Sequence, residues 1–172
     1  NYTCAAEENG QFFICLSDGM GSGLEASRES ETVVDTLEQL VEAGFSGETA
    51  AKMVNSVLNL KNRNGRFSTV DISIVDLYSG MCHFLKAGAA TTFIKRSRWV
   101  EAISSTSLAL GLVQQADFES STKKLYEGDF LIMVTDGVLD ALPGEKPEET
   151  MKEIIMEVNT TAAQELGKGI LE

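Results

Sequence analysis

Two carboxylates close two similar apolar runs. Phe12-Phe13-Ile14-Cys15-Leu16 is followed by Ser17-Asp18-Gly19, and Phe130-Leu131-Ile132-Met133-Val134 by Thr135-Asp136-Gly137. Each run reads as a buried strand that carries an acid to its tip and then turns on glycine. An acid placed after a buried strand is costly unless it meets water, a cation or hydrogen-bond donors. Two such tips side by side would gather hard oxygen ligands of the kind that hold Mg²⁺ or Mn²⁺. Glycine, with no Cβ, lets its carbonyl approach an ion closely. Taken singly, each Asp-Gly pair is also an ordinary turn dipeptide. The metal reading draws its weight from the repetition.

Other chemistries find less support. The 172-residue chain carries 14 Lys+Arg against 26 Asp+Glu, a formal charge of −12. That argues against a nucleic-acid partner, which needs clustered cations to neutralise phosphates. The densest basic stretch, Lys95-Arg96 with Arg98, is too short to change this. An acidic protein acting on an anionic substrate would need a metal to offset the repulsion. Cys4, Cys15 and Cys82 are odd in number and lack Cys-x-x-Cys spacing, so they read as free buried thiols rather than zinc ligands or disulfides. His83, the sole histidine, sits in a strand-like run and reads as structural, with no elbow motif to support a nucleophilic triad. Gly19-Met20-Gly21-Ser22-Gly23 precedes a helix and could offer amides to phosphate, but it lacks the Walker lysine. No stretch reads as a signal peptide, and no apolar run is long enough to span a bilayer.

The elements that must position these residues follow from periodicity. Strands are expected at 2–6 and 11–17 around a Glu8-Asn9-Gly10 turn, then a helix over 24–43 with Val33, Val34, Leu37, Leu40 and Val41 as its apolar stripe. Gly44 suits the C′ position, and Ser46 suits the cap of a second helix with Ala51, Val54, Val57 and Leu58 buried. Asn62-Arg63-Asn64-Gly65 breaks the chain. Residues 67–77 alternate as a strand, with Val70, Ile72 and Ile74 on one face and Asp71, Ser73 and Val75 on the other. Asp71 is a softer site candidate, set against a plain solvent-facing aspartate. A strand ending near Ala87-Gly88, a hairpin over 91–103, a loop over 104–112, strands at 117–125 and 129–134, and two closing helices complete the pattern. Runs of strands and runs of helices imply an α+β domain with a mostly antiparallel sheet.

Ser17-Asp18-Gly19-Met20-Gly21-Ser22-Gly23 resembles the first metal motif of the metal-dependent type 2C (PPM) protein phosphatases, and Thr135-Asp136-Gly137-Val138-Leu139-Asp140 resembles their second. Phe67-Ser68-Thr69-Val70-Asp71, Phe93-Ile94-Lys95-Arg96 and Gly128-Asp129-Phe130-Leu131-Ile132-Met133 are similar to one bacterial branch, the stage II sporulation protein E phosphatase domain. The resemblance covers nearly the whole chain in order. It implies an αββα sandwich of two antiparallel sheets flanked by helices, with residues 1–172 as a single phosphatase domain truncated at its C-terminus. It also implies a metal-dependent phosphoprotein serine/threonine phosphatase that uses a metal-bridged water.

Under this resemblance two divalent cations, Mn²⁺ or Mg²⁺, are expected. Asp18 would bridge them, the Gly19 carbonyl would bind one, Asp136 would bind the other, and Asp140 matches an additional cation position. The substrate class implied is a phosphorylated anti-anti-sigma factor in sporulation control. The domain would be cytoplasmic, a fragment of a longer membrane-associated parent, with no membrane contact of its own, no nucleic acid, and a homodimer left open. The family pattern includes a further aspartate in a final strand, and the sequence reaches Glu172 before one; Gly88-Ala89 stands where many type 2C enzymes have Gly-Asp. These departures leave two rivals open: a phosphatase fold that serves as an inactive interaction scaffold, and a nucleotide-binding module built on the glycine loop.

Overall fold

A computed structural model describes residues 2–19, 21, 23–61 and 66–172. Its elements, in chain order, are β1 (Tyr2–Glu8), β2 (Gln11–Gly19), α1 (Leu24–Glu42), α2 (Gly47–Lys61), β3 (Ser68–Asp76), β4 (Met81–Ala87), β5 (Thr92–Lys95), β6 (Val100–Ile103), β7 (Glu119–Lys124) and β8 (Phe130–Ile132), followed by three helices, α3 (Asp136–Asp140), α4 (Pro147–Glu157) and α5 (Ala163–Leu171). The chain forms two compact units, one of residues 1–89 with 105–125, the other of residues 90–104 with 126–172. Two antiparallel sheets with helices give the α+β class expected from the sequence.

The first unit is built on a five-stranded antiparallel sheet in the order β1-β2-β3-β4-β7. The β1–β2 hairpin turns on Asn9 (φ 51°) and Gly10 (φ 76°), the two positive φ values of a type I′ turn. Along β2 and β3 one face is apolar: Phe13, Cys15, Val70 and Ile72 are buried there with Leu85 and Ala87 of β4. Against that face lie the stripes of α1 (Val33, Val34, Leu37) and α2 (Ala50, Ala51, Val54, Leu58), making one continuous core. Helix α1 ends as its sequence predicts. Gly44, at φ 99°, donates its N–H to the Val41 carbonyl at 3.0 Å, and Phe45 donates to Leu40 at 3.1 Å, the bond pair of a Schellman motif. Ser46 then caps α2, its Oγ accepting the Thr49 N–H at 3.2 Å. Val57, expected on the buried face of α2, is instead 47% exposed; the stripe closes on Ala50 and Asn55, which turns Val57 outward. The expected break at 62–65 lies outside the described residues, as do Met20 and Ser22 of the glycine loop.

The loop after β6 is tied into this unit. Ser68 and Leu110 exchange backbone hydrogen bonds of 3.0 and 2.9 Å. Asn55, buried on α2, donates to the Val113 and Gln114 carbonyls and accepts the Gly111 N–H at 2.8 Å. His83 is exposed and its Nδ1 pairs with Thr122 Oγ1 at 3.0 Å, a cross-strand contact between β4 and β7. All three cysteines are free; Cys15 and Cys82 are buried and Cys4 is half-buried, its thiol donating to Glu38 Oε2 at 2.8 Å.

The second unit holds a three-stranded antiparallel sheet, β6-β5-β8, with α3, α4 and α5. Its core gathers Phe93, Val100 and Leu139 with Met151 and Ile155 of α4. Pro147 stands in the first turn of α4, where its missing N–H costs nothing. The second apolar run is a shorter strand than its sequence suggests. Among the described residues the strand spans 130–132, half-buried at the edge of its three-stranded sheet.

Two expected outcomes follow from this packing. Leu37 is fully buried, so Leu37→Ala is expected to lose about 2–4 kcal/mol of stability in urea denaturation. Burial pushes the Cys82 thiol up to about 12. Its contribution is present below the ordinary thiol value near 8.5 and is lost as pH climbs towards 12, because the unfolded chain gives up that proton first. The denaturation midpoint is therefore expected to fall above about pH 8.5, and to fall less steeply in Cys82→Ala.

Candidate metal centre

The end of β2 is held from both sides. Ser17 Oγ donates to the Thr69 carbonyl at 2.7 Å, and the Asp18 N–H donates to Thr69 Oγ1 at 3.0 Å, fixing the strand against β3. One residue on, the Gly19 N–H donates to Ser30 Oγ at 2.7 Å, and Ser30 in turn donates to the Ala26 carbonyl at 2.9 Å. The strand is thus fastened to the first turns of α1. The approach is so close that a Cβ on residue 19 would lie 2.6 Å from the Ala26 carbonyl oxygen. Glycine is required at 19 by this approach, whatever its carbonyl meets. The Gly19 amide is thus used by Ser30, and the Asp18 side chain beside it is half-exposed.

Asp18 shares its sheet face with two further charges. In the β2–β3 register Asp18 faces Thr69 and Leu16 faces Asp71, and in the β3–β4 register Asp71 faces Lys86. Asp71 is therefore the diagonal neighbour of Asp18. It does not look into solvent, as the bland reading of this position expects. Asp71 and Lys86 are each 2% exposed, and Lys86 Nζ donates to Asp71 Oδ2 at 2.8 Å. The Lys86 carbonyl accepts from Ser107 Oγ at 2.8 Å.

Asp136 is delivered differently. It opens α3, with Thr135 at the N-cap position in extended conformation, and the chain winds into a helix rather than into a hairpin turn. The Val138 N–H donates to the Thr135 carbonyl at 3.0 Å, and Leu139 anchors the turn in the core. A carboxylate in a first helical turn is favoured by the peptide dipoles. Asp140 lies one turn on, so both exposed acids occupy one face of α3. Nothing in the packing demands glycine at 137: a Cβ there would meet only Thr135 Oγ1, at 3.9 Å.

The strand leading to Asp136 is fastened at its start by Arg96. Its guanidinium bonds Asp129 at 2.6 Å and Glu101 at 3.1 Å and lies over the Trp99 and Tyr126 rings at 5.8 and 5.9 Å. Asp129 also accepts the Tyr126 N–H at 2.9 Å. The basic stretch at 95–98 is thus partly spent inside the protein, since Lys95 also donates to the Val158 carbonyl.

The donors at both tips are hard oxygens, which fit Mg²⁺ or Mn²⁺ rather than a softer metal. Asp18 and Gly19 belong to the first unit, Asp136 and Asp140 to the second. Among the described residues neither unit gathers three or more His, Cys, Asp or Glu side chains able to hold a metal. Ahead of α1, Gly21 and Gly23 have φ of 86° and 98°, and Glu25 occupies the helix's first turn, where a negative charge opposes phosphate binding.

Residues 8–172 match the family model described as stage II sporulation protein E (SpoIIE). The chain belongs to the SpoIIE family. It is 34% identical over 166 residues to stage II sporulation protein E of Bacillus subtilis, covering 94% of the chain and 20% of that relative. It is 32% identical to the Priestia megaterium SpoIIE, covering 100% of the chain and 30% of the relative. A crystal structure of the B. subtilis SpoIIE PP2C phosphatase domain with a fragment of its regulatory domain superposes with a TM-score of 0.88 at 31% identity, covering 99% of this chain and 51% of that one. The fold that the resemblance along the chain implies, that of the type 2C phosphatases, is the fold found. The chain spans a fifth to about a third of the length of these curated SpoIIE relatives. No helix among the described residues is long and apolar enough to cross a membrane.

Ser30 and Thr69, which hold the tip of β2, were not singled out in the sequence. A signal for Ser30 was present, since a hydroxyl interrupts the apolar stripe of α1 at the spacing Ala26, Ser30, Val33, Leu37. Gly19→Ala is expected to destabilise the protein by about 1–3 kcal/mol in urea, as an overpacked site does. Gly137→Ala is expected to stay within about 0.5 kcal/mol of the parent in the same measurement.

Proposed function

We propose that residues 1–172 act as one metal-dependent phosphoprotein serine/threonine phosphatase domain. The observation that carries the reading is the Asp18-Gly19 tip, where a half-exposed carboxylate stands at a strand end whose backbone is bonded to Thr69 and Ser30. Asp18 would bridge two divalent cations, Mn²⁺ or Mg²⁺, with the Gly19 carbonyl on one and Asp136 on the other, and Asp140 would serve an additional position. When bound, such cations lower the pKa of a coordinated water and offset charge on the phosphoryl oxygens. The residues of this chain hold and orient them. Asp18 is kept from swinging by the bonds on either side of its backbone, and Asp136 by the helical turn that Leu139 anchors. Phosphoryl transfer to water needs no side-chain nucleophile, so His83 is left to its structural contact with Thr122.

The substrate class that this family reading supports is a phosphorylated protein of the anti-anti-sigma type, in sporulation control. The parent would be longer and membrane-associated, with this domain on the cytoplasmic side. A second reading, an inactive phosphatase-fold scaffold, is favoured by one observation: neither unit alone supplies three metal ligands among the described residues.

Hydrolysis of p-nitrophenyl phosphate separates the two. Mn²⁺-dependent turnover is expected from the chain extended through a C-terminal aspartate strand of the family type. Asp18→Asn and Asp136→Asn are each expected to bring turnover to background while leaving the circular dichroism and melting temperature of the parent. Wild-type rates in Asp18→Asn would remove the basis of the assignment, and an extended, folded protein with no turnover would favour the scaffold.

A further inference from the structure

The Lys86–Asp71 pair is unusual on two counts. Lysine is almost never fully buried unless paired, and a buried pair adds little stability over apolar residues of like volume. Both partners are 2% exposed, and they lie on the face of the sheet that carries Asp18. Diagonal neighbours on an antiparallel ladder have Cβ atoms roughly 7–8 Å apart or slightly less. Two aspartates so placed can reach one cation, or two adjacent ones, through ligand bonds of about 2.0–2.1 Å. Asp71 is therefore a diagonal neighbour of Asp18 on this face, and its Oδ2 is bonded by Lys86 at 2.8 Å.

We propose that Lys86 is a built-in counter-ion that masks Asp71, withholding a further carboxylate from cations bound at Asp18. The inference rests on the metal reading of Asp18 given above. The ammonium occupies the position a cation would take beside Asp71 and lowers the negative charge of this face by one. Cation binding at Asp18 is thereby kept weaker and more exchangeable than the carboxylates of the sheet would otherwise make it. The Ser107 hydroxyl, bonded to the Lys86 carbonyl, fixes the backbone from which the ammonium reaches.

Mn²⁺ titration followed by the loss of the free-ion electron paramagnetic resonance signal tests this without reference to turnover. Lys86→Met is expected to bind Mn²⁺ at least about tenfold tighter than the parent, or to take up one further equivalent. Lys86→Met with Asp71→Asn is expected to return to parental binding, and Lys86→Met with Asp18→Asn to lose the gain. Lys86→Gln supplies the same comparison if the methionine variant does not fold, because the amide removes the charge while keeping a donor. Asp18-dependent binding that is unchanged or weaker in Lys86→Met, or in Lys86→Gln where that variant stands in, overturns the masking and leaves the metal reading intact. The absence of Asp18-dependent binding in every variant overturns both.

Discussion

A carboxylate can serve a cation only where the chain holds it still. In the first unit that condition rests on the contact between Gly19 and the opening turns of α1. The strand's last amide is bonded to Ser30, and the Ala26 carbonyl sits where a side chain at 19 would be. The helix can come this close because its stripe packs on Phe13, Cys15 and Ile72 along the same sheet face. The core that stabilises the unit is thus also the jig that sets Asp18. Loosening the α1 stripe would reach the site through Ser30 before it reached any acid directly.

Much of this was legible in the sequence. The Asn9-Gly10 turn, the Gly44 helix end, the Ser46 cap and the α1 stripe each follow from local rules and appear as expected, because each is decided within a few residues. The two Asp-Gly motifs were legible as candidate metal-binding tips. That they are delivered by unlike devices was not. Asp18 ends a strand paired on both sides, whereas Asp136 starts a short helix after a half-buried edge strand, and periodicity alone reports neither edge position nor the chain's choice between turn and helix. Buried polar residues were the least readable. Ser30, Asn55, Asp71 and Lys86 acquire their roles from partners many residues away, and a single sequence holds no record of such pairings.

The two tips also differ in what they tolerate. At 19 the backbone of a helix stands against any side chain, while at 137 there is room. One acid is placed by close packing and the other by a helical turn with a single buried anchor. Both acids are nonetheless hard oxygen donors, of a kind that does not discriminate strongly between Mg²⁺ and Mn²⁺.

Arg96 joins the β5–β6 hairpin to the start of β8 by gripping Asp129 and Glu101 at once, between two aromatic rings. A guanidinium is planar and presents its donors as a rigid fork, so it can hold two carboxylates in fixed directions at once. The clasp therefore fixes a direction as well as a distance between the hairpin and the start of β8. A lysine in its place would keep the charge and lose that fork, leaving the start of the strand that leads to Asp136 tethered at a single point.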